Sequence, residues 1–375
     1  MRALHLYAGP LARQQIAHHG LQPSDIATVP AAAGGPKGLI LGPLDRFVFG
    51  HWLAQSAQPV DLVGASIGAW RMSAACLNDP AQALAQLEHD YIAQHYATPA
   101  GQKRPSAAYI SARFGQTLQQ FYGTRSAEVL NHARYRLHLI TARGRHLLGR
   151  EQRWRTPLGY LGALVTNALH RPAMGAWLER VVFSSQQAAL PFDAGDYRTR
   201  QVALTEANFH SAVLASCSIP LVLQAVHDIA GAPRGAYWDG GMTDYHLHLN
   251  YAAAPNATES IAATPFNTRA GGRKGLVLYP HFQNTVVPGW LDKRLSWRHK
   301  ATPFLDNMVL LAPNPDWIKT LPNGKLPDRT DFTHYGADLA SRVKAWTAAT
   351  SASQQLADEF AAWLQRPDLG QLRVL

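Results

Sequence analysis

The stretch Asp61-Leu62-Val63-Gly64-Ala65-Ser66-Ile67-Gly68-Ala69-Trp70-Arg71-Met72-Ser73-Ala74-Ala75 decides the fold of this chain. A short apolar run enters Gly-Ala-Ser-Ile-Gly, and a run of small residues with helical character leaves it. Strand, sharp turn and helix in that order form a G-x-S-x-G nucleophile elbow. Gly64 and Gly68 let the backbone turn tightly, so that Ser66 stands clear of the sheet edge. The helix that follows points its positive end at Ser66, where it favours an alkoxide or an oxyanion.

Upstream, Ile26 to Ala33 reads as a buried strand, although Pro30 weighs against a strand there. Gly34-Gly35-Pro36-Lys37-Gly38 follows, and then LILGPLDRFVFGHWLAQ, a helix that Pro43 kinks or interrupts. Strand, glycine loop, helix, strand, elbow and helix make a βαβα pattern, which predicts an α/β fold with a parallel sheet and right-handed crossovers. Consecutive amides at a helix start form an anion-binding nest. Beside a nucleophilic serine, the anion is the oxyanion of a tetrahedral intermediate. Pro36 has no N–H, so the donors are sought at Gly35, Lys37 and Gly38. A phosphate-binding P-loop is excluded, because G-x-x-x-x-G-K-[ST] is absent.

Downstream, Asp79-Pro80 caps a helix over Ala81 to Tyr96. Pro99-Ala100-Gly101 and Pro105 mark a loop, and Ala108 to Tyr122 reads as helical. Arg136 to Leu148 reads as a strand and turn. Leu158 to Val182 is apolar with helical spacing in parts, which fits a lipid-facing flap or an ordinary helical subdomain. A strand over Tyr197 to Leu204 and a helix over Glu206 to Ala215 lead to Ser216-Cys217-Ser218-Ile219-Pro220. A short strand, Ala236-Tyr237-Trp238, runs into Asp239-Gly240-Gly241, which places Asp239 at a strand end, where active groups gather in parallel sheets. Further strands are expected at Leu276 to His281 and Met308 to Leu311. Helices over Asp331 to Gln365 cap the fold. Gly271-Gly272-Arg273-Lys274-Gly275 repeats the look of the first glycine loop but precedes a strand, as a basic surface turn does.

A length of 375 residues is compatible with one large domain or two small ones, and 47% hydrophobic against 16% charged residues excludes a disordered chain. The net charge of +10 favours anionic partners: lipid, a membrane surface or nucleic acid. The two cysteines, Cys76 and Cys217, sit among small apolar residues and predict two buried thiols in a reducing compartment. No signal-peptide core and no spanning run is visible, so the expected location is cytoplasmic, with peripheral attachment to a membrane.

GGPKG, GASIG and DGG in this order, with the SCSIP segment ahead of the aspartate, resemble the patatin-like phospholipase family, over roughly Ile26 to Asp244. The resemblance implies a three-layer α/β sandwich with a mainly parallel central sheet. The whole chain would be one such domain, with its motif-bearing core at about 26–285 and a helical cap at about 331–366. It implies a Ser–Asp dyad with no histidine: Ser66 the nucleophile, Asp239 the base. Gly34, Gly35, Lys37 and Gly38 would line the oxyanion hole, and Gly64, Gly68, Gly240 and Gly241 would support the motifs. The implied activity is lipid acyl hydrolysis through an acyl-serine, with no cofactor. The lysine before the last glycine is similar to bacterial members of the family. Ala33 departs from the glycine of plant patatins, and Met242-Thr243-Asp244-Tyr245-His246 departs from the asparagine-and-proline pattern often found after DGG.

Rival arrangements stand beside this one. His246, His248 and His281 follow Asp239 in the order a Ser-His-Asp hydrolase needs. Acyl transfer to an acceptor other than water uses the same serine. Asp244, His246 and His248 alternate, so a strand would put them on one face, as zinc ligands. Arg143, Arg145, Arg150, Arg153, Trp154 and Arg155 form one basic stretch; Lys293, Arg294, Trp297, Arg298 and Lys300 form another. Basic and aromatic residues together suit anionic lipid or single-stranded nucleic acid; lipid is the partner expected here, and nucleic acid is not.

Overall fold

Val60–Ala65 is buried along its whole length, as an apolar strand between two parallel neighbours must be. In the computed structural model, which describes residues 1–97, 105–253 and 275–375, it is the third strand in chain order. The strands are β1 (Leu4–Ala8), β2 (Ile26–Ala31), β3 (Val60–Ala65), β4 (Tyr135–Gly144), β5 (Leu178–Ser184), β6 (Thr199–Ala203), β7 (Val226–His227), β8 (Ala236–Asp239), β9 (Leu276–Pro280), β10 (Met308–Pro313) and β11 (Leu372–Val374). They form one sheet with the order β11-β1-β10-β9-β2-β3-β4-β5-β6, while β8 pairs with β4 and β7. The centre, from β10 through β9, β2 and β3 to β4, is parallel. Antiparallel pairings of β1 with β10 and of β5 with β4 flank it. The protein is thus α/β, with a mixed, mostly parallel sheet compatible with a three-layer sandwich.

Three local expectations change. The helical spacing read through Leu158 to Val182 ends early: a helix covers Arg155–Leu169, and Leu178–Ser184 is β5. In β5 the adjacent Glu179 and Arg180 are both buried, so no alternation of polar and apolar residues marks the strand. The segment after the glycine loop is not one helix but a 3-10 helix (Gly35–Leu41), an α-helix (Gly42–Phe47), a π turn (Val48–Trp52) and a final 3-10 turn (Leu53–Gln55). Pro43 sits in the first turn of the α segment, where a missing N–H costs nothing. Pro30 does lie in a central strand; the recorded pairing of β2 with β9 ends two residues before it, at Thr28. The loop expected at Pro99-Ala100-Gly101 and the basic turn at 271–274 lie outside the described residues.

One hydrophobic cluster gathers buried side chains from Ala3 to Leu372. Cys76 and Cys217 are free thiols within the buried interior. The elbow helix, Ile67–Ala75, is buried on all sides. Its one charged residue, Arg71, is held in a two-pronged pair by Asp45, with Nε 2.7 Å from Oδ2 and Nη2 2.8 Å from Oδ1. Removing one partner strands a buried charge. Asp45→Ala is therefore expected to lower the unfolding free energy by about 3–5 kcal/mol, read by urea titration. Asp45→Ala with Arg71→Met should recover part of that loss; a double variant no more stable than Asp45→Ala would contradict the cause given.

Candidate active site

The register of β4 brings the two motifs together. β3 pairs with the first part of β4 and stops at Ala65, opposite Ile140. β8 runs antiparallel to β4 and stops at Asp239, opposite Thr141. Along β4, the strand ahead of Ser66 and the strand that ends in Asp239 therefore meet end to end. The expected strand-end position of Asp239 holds, but on an antiparallel strand, not a parallel one.

Ser66 Oγ donates a hydrogen bond to Asp239 Oδ2 at 2.6 Å. Both residues are buried, Ser66 3% and Asp239 5% exposed. Ser66 has φ 57° and ψ −129°, a conformation that strains any residue with a side chain. The surroundings hold it there. The Ser66 amide donates to Ser216 Oγ at 3.0 Å, and that hydroxyl donates to the Ile140 carbonyl at 2.7 Å. Ser216 thus supplies the polar contacts that a longer β3 would have made. The Cys217 thiol donates to the Ser66 carbonyl, and the Asp239 amide donates to the Ser218 carbonyl. The SCSIP segment is the clamp on both motifs.

Asp239 Oδ1 accepts the Gly241 amide at 2.7 Å, which leaves Oδ2 turned to Ser66. Burial pushes the Asp239 carboxyl above its ordinary range, while the Ser66 hydroxyl, Arg329, the Gly241 amide and Lys293 hold it back. A carboxylate so placed is a stronger base than a solvated one.

The motif glycines are set by crowding. A Cβ on Gly68 would lie 1.9 Å from the Ala31 carbonyl oxygen, and one on Gly240 would lie 2.1 Å from that of Ile140. A Cβ on Gly64 would lie 2.6 Å from Ala69 Cα, and one on Gly241 2.7 Å from the Ala33 methyl. The last contact packs the residue before the glycine loop against the DGG turn. Farther along, Gly34 has no room beside Phe282, and Gly35 takes the left-handed conformation with φ 57°. Gly38 lies against Ile67, the residue after Ser66. The amides of Gly34 and Gly35 have no acceptor among the described residues, as expected at a helix start. The Lys37 ammonium lies 5.6 Å above the Phe282 ring.

The histidines are used elsewhere. His246 Nδ1 lies 3.1 Å from the Val287 amide, and His281 Nδ1 lies 3.0 Å from that of Gln283. His248 Nε2 meets the Thr302 hydroxyl at 2.9 Å. Burial lowers all three: His246 well below the ordinary imidazole value, His248 to about 4 and His281 to about 3. None of them hydrogen-bonds to Ser66 or Asp239. The alternating trio is also not on a strand: Asp244 is bound by Arg180 through contacts of 2.8 and 2.6 Å. No group of metal-ligating side chains occurs among the described residues.

Arg329 escaped the sequence reading, and Lys293 was read only as part of a basic stretch. Arg329, from the C-terminal region, places its guanidinium 3.2 Å from where a Gly35 Cβ would be. Lys293 sits 4.0 Å over the Tyr245 ring, and desolvation, Arg329 and Lys37 pull its ammonium down to about 8. Lys37, Lys293 and Arg329 make no ion pair among the described residues. They form a cationic rim assembled from three distant segments, and no local pattern announces it. The first basic stretch, by contrast, is not one face: Arg143 pairs with Glu179, Arg145 donates to the Gly175 carbonyl and Arg150 pairs with Asp228.

Fold and site together define an α/β protein with a hydroxyl–carboxylate pair on a strained elbow. No family model matches the chain, and no curated protein matches it.

Proposed function

We propose that the protein is a lipid acyl hydrolase of the patatin-like type, a three-layer α/β serine esterase that works with a Ser–Asp dyad. The observation that carries this reading is the 2.6 Å hydrogen bond from Ser66 Oγ to Asp239 Oδ2 on a turn held in a strained conformation. A serine hydroxyl attacks an ester only when a base takes its proton. Asp239 Oδ2 takes it as Oγ bonds to the carbonyl carbon. The carbonyl electron pair moves onto oxygen, and that oxyanion is met by the free amides of Gly34 and Gly35 and by the start of the elbow helix, each strong donor contributing about 3–4 kcal/mol. Collapse breaks the ester C–O bond, and the leaving alkoxide takes the proton from Asp239. Water then attacks the acyl-serine and gives a proton to Asp239; Ser66 Oγ leaves and recovers it. No histidine and no metal is needed.

The rim of Lys37, Lys293 and Arg329 supports an ester with an anionic group nearby, as in a phospholipid. The test is covalent labelling by a fluorophosphonate probe. Wild type should label and Ser66→Ala should not; an unlabelled wild type that also leaves a panel of phospholipids and short-chain esters uncut would end this assignment.

A further inference from the structure

We propose that the helix Arg155–Leu169 and the adjoining segment around Trp297 form a docking face for an anionic lipid bilayer. The inference rests on the lipid-hydrolase reading for its purpose but not for its geometry. The outer side of the helix carries Leu158, Leu161, Val165 and Leu169, and Trp154 precedes it in line; all five are more than half exposed. These positions recur at three, four and seven residues, so they make one stripe along the helix. The opposite side is spent inward: Gly159, Ala163 and Asn167 are buried, and Tyr160 packs edge-on against Trp238, the residue before Asp239. An ordinary surface helix turns polar residues outward; this one turns out leucine and valine.

Charge selects the occupant. No Asp or Glu occurs between Glu151 and Glu179, while Arg153 and Arg155 do; Arg171 is turned inward to Asp292, at 2.8 Å. Arg153 and Arg155 stand at the helix N-terminus, the end that the helix field makes unfavourable for cations. Their place is explained by an anion outside the molecule. A second acid-free stretch, between Asp292 and Asp306, carries Lys293, Arg294, Trp297, Arg298 and Lys300, with Trp297 more than half exposed. Buried Asp292 ties this stretch to the helix: it accepts from Asn167 Nδ2 at 2.7 Å and from Arg298 Nη1 at 2.7 Å, and Arg298 Nη2 donates to the Asn167 carbonyl. This stretch therefore adjoins the helix on its inward side and near its C-terminal end, and Lys293 within it borders the Ser66–Asp239 site. Apolar side chains with tryptophan and arginine at their margin are what a helix lying in an anionic lipid interface needs. The helix has 15 residues, and no helix among the described residues is long and apolar enough to cross a membrane.

The test uses the full chain with Ser66→Ala, so that the lipid is not consumed. Sedimentation with vesicles of phosphatidylcholine containing phosphatidylglycerol is compared with pure phosphatidylcholine. Binding should be stronger with the anionic lipid. Leu161→Glu with Val165→Glu should weaken it at least about tenfold, at an unchanged thermal midpoint. Trp154 should be quenched by brominated acyl chains, seen as quenching lost in Trp154→Phe. Equal binding by the double variant, or no binding by the parent protein, overturns the docking face. A dimer that the double variant breaks, without vesicle binding, also overturns it in favour of a second copy of the chain. Fluorophosphonate labelling and ester hydrolysis by the chain with Ser66 intact, run beside the vesicle assay, separate the two claims: labelling without vesicle binding removes only the docking face, and binding with neither labelling nor hydrolysis upholds the docking face and removes the esterase.

Discussion

Ser66→Ala is expected to lower kcat/KM for ester hydrolysis by at least about 10⁴-fold, because among the described residues no other hydroxyl bonds to the Asp239 carboxylate. Ser66→Gly should be as inactive, yet more stable than wild type by about 1–3 kcal/mol. The reason is the backbone: φ 57° with ψ −129° strains serine and alanine but not glycine. Alanine keeps the strain and loses the hydrogen bond to Asp239, so it should not share the gain. Urea titration of the three proteins reads the difference. His246→Gln, His248→Gln and His281→Gln form the control series. One ring nitrogen of each faces a backbone group or Thr302, none bonds to Ser66 or Asp239, and burial keeps the rings neutral, so each should retain hydrolysis within about tenfold where it folds. A folded histidine variant as dead as Ser66→Ala would shift the mechanism to a Ser-His-Asp triad.

Asp239→Asn should cost about 10²–10⁴-fold in kcat, since an amide accepts a hydrogen bond but not a proton. It should also be more stable than wild type at neutral pH. Burial raises the folded carboxyl above its ordinary value, so its favourable contribution to stability is complete only when it is protonated, below the ordinary carboxylate range. That contribution is lost as pH rises through the raised value, and at pH 7 the ionised group weighs against folding. The stability advantage of Asp239→Asn should therefore shrink as pH falls toward the ordinary carboxylate value near 4. Activity runs the other way: the wild-type rate should climb with pH through the same raised titration, because only the carboxylate takes the Ser66 proton. Paired urea titrations at neutral and acid pH, with a pH profile of kcat, check both signs. An Asp239→Asn variant of unchanged stability and undiminished kcat would remove Asp239 from the chemistry.

Much of this is legible in the sequence alone. The elbow could be read because its chemistry is local: glycines at Gly64 and Gly68 follow from contacts with Ala69 and with the β2 backbone, and those contacts recur wherever a strand turns sharply into a buried helix. The helix capped by Asp79 was equally visible, since the cap bonds Gln82 three residues on. β5 was not visible, because Leu178–Ser184 is buried throughout and its adjacent Glu179 and Arg180 are buried in ion pairs, so charge does not alternate with apolar residues along it. β1 and β11 were missed because their partners are almost a chain length away: β1 pairs with β10, and β11 with β1. The alternating Asp244, His246 and His248 looked like one strand face, but Asp244 is taken by Arg180 and the segment is irregular.

By itself the sequence determined an α/β chain with a serine elbow, a glycine loop and an aspartate turn, because each is a short-range solution to a backbone problem. Only the tertiary structure decided that they meet. The meeting depends on β4, which pairs β3 along its first half and β8 beyond it, so that Ala65 and Asp239 face consecutive residues, Ile140 and Thr141. The clamp by Ser216 and the cationic rim of Lys37, Lys293 and Arg329 belong to the same class of fact. Pairing register and long-range charge are properties of the folded whole, and no window of neighbouring residues contains them.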